Sequence, residues 1–205
     1  MCFKSLFFNE SAPEGVSVLF VMESFSKCEI ETGWPCMGLS GQIMSQRIFG
    51  IDTPFGQIMQ TSEECIGRYA VMETFNFPLK TEDWCNDVPQ DMQAWCRLKE
   101  IEKQWNGNRG DQYSNIRSHI STIKKSKVFL SYVNNLDEAL LLFENLKQIV
   151  FCGFIAQSMF LEKINHTPFL YKVRNDWKGY DLRFVNHPSS ATNASEWVYE
   201  PLENC

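Results

Sequence analysis

The sequence predicts an α/β protein, a three-layer α/β/α sandwich around a mostly parallel central sheet, built as one domain over residues 1–205. Three observations predict it. Short, continuous apolar runs recur as VSVLFVM, RYAVM and QIVFCG, the pattern of strands buried on both faces. Stretches with helical spacing lie between them. Apolar residues make up 44% of the chain, which supplies a sizeable core.

The elements follow in order. Val16–Met22 comes after Pro13 and Gly15 and reads as the first buried strand. ESFSKCEIETGWPCMGLSG follows as a long polar loop. Gln42–Phe49 places Ile43, Met44 and Ile48 at helical spacing. Arg68–Met72 is the second strand, closed by Glu73, Thr74 and Pro78. Asp91–Trp105 reads as a helix and Asn106–Gly110, NGNRG, as a loop by composition. Ser114–Lys125 reads as a helix and Lys127–Tyr132, KVFLSY, as a strand. Leu136–Leu146 is a further helix, with Asn134 or Asn135 as its N-cap. Gln148–Gly153 is the third buried strand, Ala156–Ile164 the next helix and Asp181–Val185 the last strand.

Composition narrows the class. A net charge of −6 argues against a general nucleic-acid coat protein but leaves room for a small local DNA-binding face. Arg109, Arg117, Lys124, Lys125 and Lys127 cluster, and the plain reading of that cluster is a solvated helix face. No secretory signal is visible, and no apolar run approaches the ~20 residues of a membrane helix. The expectation is a soluble cytoplasmic protein, monomeric and without a membrane partner. Eight cysteines contain no C-x-x-C pair, so the expectation is reduced thiols, with no metal and no cofactor.

In such folds ligands bind beyond the carboxyl ends of the strands. Three strand ends carry polar chemistry: Glu23 after the first, Glu73 and Asn76 after the second, His187 after the last. The stretch LRFVNHPSSA sharpens the point, because a turn uses the Pro and the Ser residues but not the His. The plain alternatives are a capping or salt-bridged Glu23 and a hydrogen-bonded structural His187. Cys36 with His187 also suggests a cysteine-dependent enzyme.

Four segments, in order, resemble the uracil-DNA glycosylase superfamily. VLFVMESFSKCEIETGWPCMGLSG, Val18 to Gly41, resembles the first motif of its iron–sulfur branch, VGEAPG…E…G-R-P-F-V-G-x-x-G. Met22 stands for the first Gly, Glu23 for the Glu, Phe25 for the Pro and Ser26 for the last Gly. Glu29 falls on the later acid, and Gly33, Pro35, Gly38 and Gly41 match outright. RYAVMETFNFP resembles the strand that ends in a base-reading Asn, IVFCGFIA the strand–turn–helix I-x-x-L-G-x-x-A, and NHPSS the closing H-P-S motif. The cluster-binding C-x-x-C of that branch is missing, so no iron–sulfur cluster is carried over. The aromatic that stacks on the flipped base falls at Cys36, and the reading position falls on Glu73 or, with a small shift, on Asn76.

The resemblance implies a monofunctional DNA glycosylase, with DNA as partner. Such an enzyme flips a nucleotide into a pocket and cleaves the base–sugar bond through an oxocarbenium-like transition state. Glu23 would position water or stabilise the sugar cation, and His187 would polarise the base. Met22, Glu29, Cys36 and Glu73 or Asn76 would surround the base. Ser40, Arg109, Ser189, Ser190 and Thr192 would face DNA, with phosphate taken by hydroxyls and backbone N–H groups. A carboxylate at position 73 accepts from the amine of a cytosine and suits the carbonyl of uracil poorly. That points to modified cytosine, as in anti-phage glycosylases that remove glucosylated hydroxymethylcytosine. Uracil or deaminated-base repair is the alternative, as is a non-catalytic DNA-binding module of the same fold. Trp105, Tyr113 and Trp197 are candidates for stacking or wedging.

Overall fold

A computed structural model describes residues 4–8, 10, 13–61, 67–84, 86–104, 107–165 and 176–199. The strands are β1 (Leu6–Phe7), β2 (Val18–Ser24), β3 (Tyr69–Phe75), β4 (Gln148–Cys152), β5 (Asp176–Trp177) and β6 (Tyr180–Val185). They form one six-stranded sheet in the order β1-β3-β2-β4-β6-β5. The inner four are parallel, and the two-residue edges β1 and β5 pair antiparallel to β3 and β6. The sheet is therefore mostly parallel, as expected.

Alternation along β2 explains the layering. Leu19 and Val21 face one side of the sheet, and Val18, Phe20 and Met22 face the other. The first side is covered by α4 (Gln90–Lys103), α5 (Arg109–Ile123), α6 (Lys127–Leu142) and α7 (Phe154–Lys163), through Trp95, Leu98, Ile116, Leu136 and Met159. The other side is covered by α2 (Leu39–Phe49) and α3 (Phe55–Thr61), through Ile43, Met44, Phe55 and Met59. Helices on both faces of the sheet match the arrangement of a three-layer sandwich. Among the described residues no helix is long and apolar enough to cross a membrane.

Several local expectations are corrected. Lys127–Tyr132 is not a strand: it is the first half of α6, whose N-cap is Ser126, and Asn134 and Asn135 lie in the helix interior. Phe129, Tyr132, Leu136 and Ala139 are its buried residues, spaced three or four apart, so helical burial overrides the local β preference of KVFLSY. The polar loop after β2 contains a short helix, α1 (Lys27–Thr32), opened by a capping box between Ser26 and Glu29. Of NGNRG, Asn106 lies outside the described residues, the side chain of Asn108 caps α5, and Arg109 and Gly110 belong to that helix rather than to a loop. The sequence reading also missed α3 and both edge strands.

The segment after β6 is pinned by aromatic packing, which fixes what lies before it. Phe20 on β2 meets the rings of Trp197 and Tyr199 at 6.3 and 5.3 Å. Trp197 Nε1 donates to the carbonyl of Asn186 at 3.0 Å. Trp197 and Tyr113 are thus core side chains, not wedges. Trp105 lies outside the described residues, as do Cys2, Cys65, Cys85 and Cys205. Cys28, Cys36, Cys96 and Cys152 are free thiols, and only Cys28 is exposed.

Candidate active site

A cavity of about 300 Å³ opens at the carboxyl ends of β2 and β3. Glu23, Glu73 and His187 line it together, so three strand ends converge on one space. Met22, Glu29, Ser40 and Ser189 line it as well.

Glu23 is 1% exposed and has both oxygens engaged. Oε1 accepts the backbone N–H of Ile155, in the first turn of α7, at 3.2 Å. Gly153 makes this approach possible, because a Cβ there would lie 2.2 Å from Oε1 and its φ is +93°. Oε2 accepts from the Lys99 ammonium, which also donates to Glu102 Oε2 at 2.8 Å. Burial of Lys99 works against its charge, but Glu23 and Glu102 outweigh burial and hold its pKa above the ordinary value. Glu102 is pushed up to about 7, by burial first and then by the charge of Glu23.

Glu29 is a builder of the loop rather than a base-binding group. Its Oε2 accepts from Ser26 N at 2.6 Å and its Oε1 from Cys36 N at 2.5 Å. Burial raises its pKa, and those two N–H groups oppose the rise. Cys36 is fully buried, sits at φ +54° and does not line the cavity, so it is no stacking position. Gly41 is required beside it, because a Cβ on Gly41 would lie 1.7 Å from the Cys36 carbonyl oxygen. The thiol pKa is raised well above its usual range by burial, then by Glu29 and Glu73, which removes Cys36 as a nucleophile.

Glu73 occupies the cavity and Asn76 does not. Glu73 pairs in register with Met22, one residue before Glu23. It is 1% exposed, and its Oε2 has no hydrogen-bond partner. Burial, and next the charges of Glu29 and Glu23, push its pKa well above the carboxylate range. That shift favours the neutral, protonated form of the group. A protonated carboxyl group donates as well as accepts.

His187 is neutral too. Burial, then the nearby Lys99 ammonium, bring its pKa down to about 3. Its Nδ1 accepts the backbone N–H of Ser189 at 3.3 Å and lies 2.7 Å from Ser189 Oγ. A nitrogen that accepts from an N–H carries no proton, so the ring proton sits on Nε2. His187 is thus a fixed neutral donor.

The remaining predicted residues separate. Arg109 and Ser190 border a second, more open cavity of about 600 Å³ that shares His187 with the first. Arg109 donates to Asn186 Oδ1 at 2.8 Å and lies over the Phe154 ring. Thr192 borders neither cavity, and both its N–H and its hydroxyl are taken by Glu196 Oε2 at 2.8 Å. Arg117 and Lys124 are paired with Glu162, so the basic cluster is no continuous cationic strip.

Sequence reasoning missed Lys99 and Phe25. Lys99 falls on the stripe Trp95, Leu98, Lys99, Glu102 of α4, and a lysine on an apolar stripe was its available signal. Phe25 lines the cavity, and its buried ring packs edge-on against Phe7. No protein-family model matches this chain, and no curated protein is significantly similar to it.

Proposed function

We propose that this chain is a monofunctional DNA glycosylase of uracil-DNA glycosylase-like fold that removes a pyrimidine base. The observation that carries the reading is the meeting of Glu23, Glu73 and the neutral donor His187 in one cavity of base-sized dimensions. A flipped base enters this cavity with Phe25 on its wall. Cleavage leaves positive charge on the sugar and negative charge on the base. The carboxylate of Glu23 serves the first, aligning the attacking water and stabilising the sugar cation. His187 Nε2–H serves the second, and a preorganised donor of this kind is commonly worth ~3–4 kcal/mol. Water adds to the sugar carbon, its proton leaves toward the expelled base, and an abasic site remains.

Other features support the reading. The cavity holds more carboxyl groups than ammonium groups, which suits a base better than a phosphate. Phosphate belongs at the rim, where Gly38 opens α2 without a capping side chain and the Ser40 and Ser189 hydroxyls stand. Lys99 does not make the enzyme a lyase. Held between two carboxylates as an ammonium, it lacks the lone pair a Schiff base needs. The same ion pair favours a second reading, a module that binds a flipped base without cleaving it, because it neutralises Glu23.

The test is cleavage with alkaline workup on uracil-containing DNA, unmodified DNA and phage DNA with glucosylated hydroxymethylcytosine. Breaks confined to the phage DNA support removal of modified cytosine in anti-phage defence. Breaks confined to uracil DNA support repair. Retention of full cleavage by both Glu23→Gln and His187→Ala sinks the site, and binding without breaks selects the second reading.

A further inference from the structure

The donors around the cavity are unevenly shared. Glu29 takes two backbone N–H groups, from Ser26 and Cys36. Glu23 takes one from Ile155 and the ammonium of Lys99. Lys99 is committed a second time, to Glu102. Glu73 lies among these groups on the cavity wall, 1% exposed, with Oε2 unmatched. A buried carboxylate without a donor is the costly case, whereas a carboxylic acid in that place carries its own donor.

We propose that Glu73 reads its ligand as a neutral carboxylic acid, giving one hydrogen bond and accepting another, so that the cavity selects a flat ring edge with an acceptor beside a donor. This rests on the glycosylase reading only in naming that edge as the pairing edge of a pyrimidine. Cytosine offers a bare ring nitrogen beside an amine, and uracil a ring N–H beside a carbonyl. Either oxygen of a carboxyl group can hold the proton, so both edges make a cyclic pair with it. An edge with two acceptors or two donors leaves one partner unmatched and is rejected, at about 1–3 kcal/mol per buried orphan.

A pH dependence follows. The groups around Glu73 are Glu23 on β2, Glu29 on α1, Lys99 on α4 and the buried thiols of Cys36 and Cys152. Burial keeps both thiols protonated far into the alkaline range. When Glu73 ionises, its donor disappears, so reading fails as pH rises through its raised pKa. An amide at this position keeps one donor and one acceptor and does not titrate.

The test has two arms on the full chain. The first is the infrared difference between wild type and Glu73→Gln at neutral pH. A protonated-carboxyl carbonyl band in the wild type alone, shifted by deuterium exchange, is expected. Its absence overturns the proposal whatever the enzyme cleaves. The second arm measures binding of single-stranded oligonucleotides carrying one non-cleavable 2′-fluoroarabino-uridine or -cytidine, with and without a methyl group on the pairing ring nitrogen. Glu73→Gln is expected to bind within about threefold of wild type and to lose the decline with rising pH. Glu73→Ala, checked for native circular dichroism, is expected to bind at least about tenfold more weakly. Ring methylation should weaken wild type but hardly affect Glu73→Ala. Equal loss in Glu73→Gln and Glu73→Ala, or methylation felt equally by both, overturns the reading role even if cleavage stands. An infrared band with no oligonucleotide bound overturns the pyrimidine ligand together with the glycosylase reading.

Discussion

The loop Ser26–Cys36 and the carboxyl ends of β2 and β3 face the same cavity, and they treat a buried carboxyl group in opposite ways. In the loop, Glu29 closes a capping box and ties down Cys36, so each of its oxygens has a backbone donor. At the strand end, Glu73 is as deeply buried and has an oxygen with none. A satisfied buried polar group contributes to the architecture, whereas an unsatisfied one at a cavity wall is a place where a ligand completes the pairing. The difference teaches that burial of an acid does not identify its role. The destination of its hydrogen bonds does.

Substitutions break or sharpen this contrast. The largest expected effect is at the strand ends. Glu23→Gln should lower the cleavage rate by on the order of 10²–10⁴ and, because it breaks the buried pair with Lys99, also lower the urea midpoint, whereas His187→Ala should lower the rate by about 10²–10³ with a urea midpoint close to wild type. Single-turnover rates and denaturation curves check both. Glu29→Ala should do the reverse. It orphans two N–H groups and should cost roughly 2–4 kcal/mol of stability. Cleavage by its folded fraction should stay near normal, and a matching loss of rate per folded molecule would merge the two regions.

Gly153→Ala crosses between them. Its methyl group would collide with Glu23 Oε1, so Glu23 must swing away from Ile155. About tenfold loss of cleavage together with about 1–2 kcal/mol of destabilisation from the positive φ is expected. Glu73→Gln should act through pH. Glu73 has a folded pKa above its unfolded value, so its neutral form stabilises the fold below the unfolded pKa and that contribution is lost as pH rises toward the folded pKa. The variant should therefore gain on wild type with rising pH above the ordinary carboxylate range, by at most about 1.4 kcal/mol per unit, in thermal melts. The smallest effect belongs to Asn76→Ala, which should alter the preference between uracil and cytosine substrates less than about twofold, since Asn76 is not on the cavity.

The inner sheet was legible because parallel strands are buried on both sides and leave unbroken apolar runs such as VSVLFVM and QIVFCG. KVFLSY was misread because six residues cannot show whether burial repeats every two or every three to four positions. Extension through Leu136 and Ala139 decides it. Glu23, Glu73 and His187 were legible as site candidates from their places after strands, a rule of topology. The role of Glu29 is also written locally, as Ser26 followed three residues later by an acid, the signal of a capping box. Lys99 could not be placed from its neighbours alone. Only the packing of α4 over the strand ends brings its ammonium to Glu23.

The strand order has a consequence for assembly. Glu73 arrives on β3 on one side of β2, while His187 follows β6, beyond β4 on the other. Glu23 and His187 stand near opposite ends of the described chain, so bringing them to one cavity closes a long loop. Loops of that length close late. A chain still emerging from the ribosome completes β2 and β3 well before it has a His187 to set beside them. Closure of the cavity therefore coincides with docking of β6 and the turn that follows it.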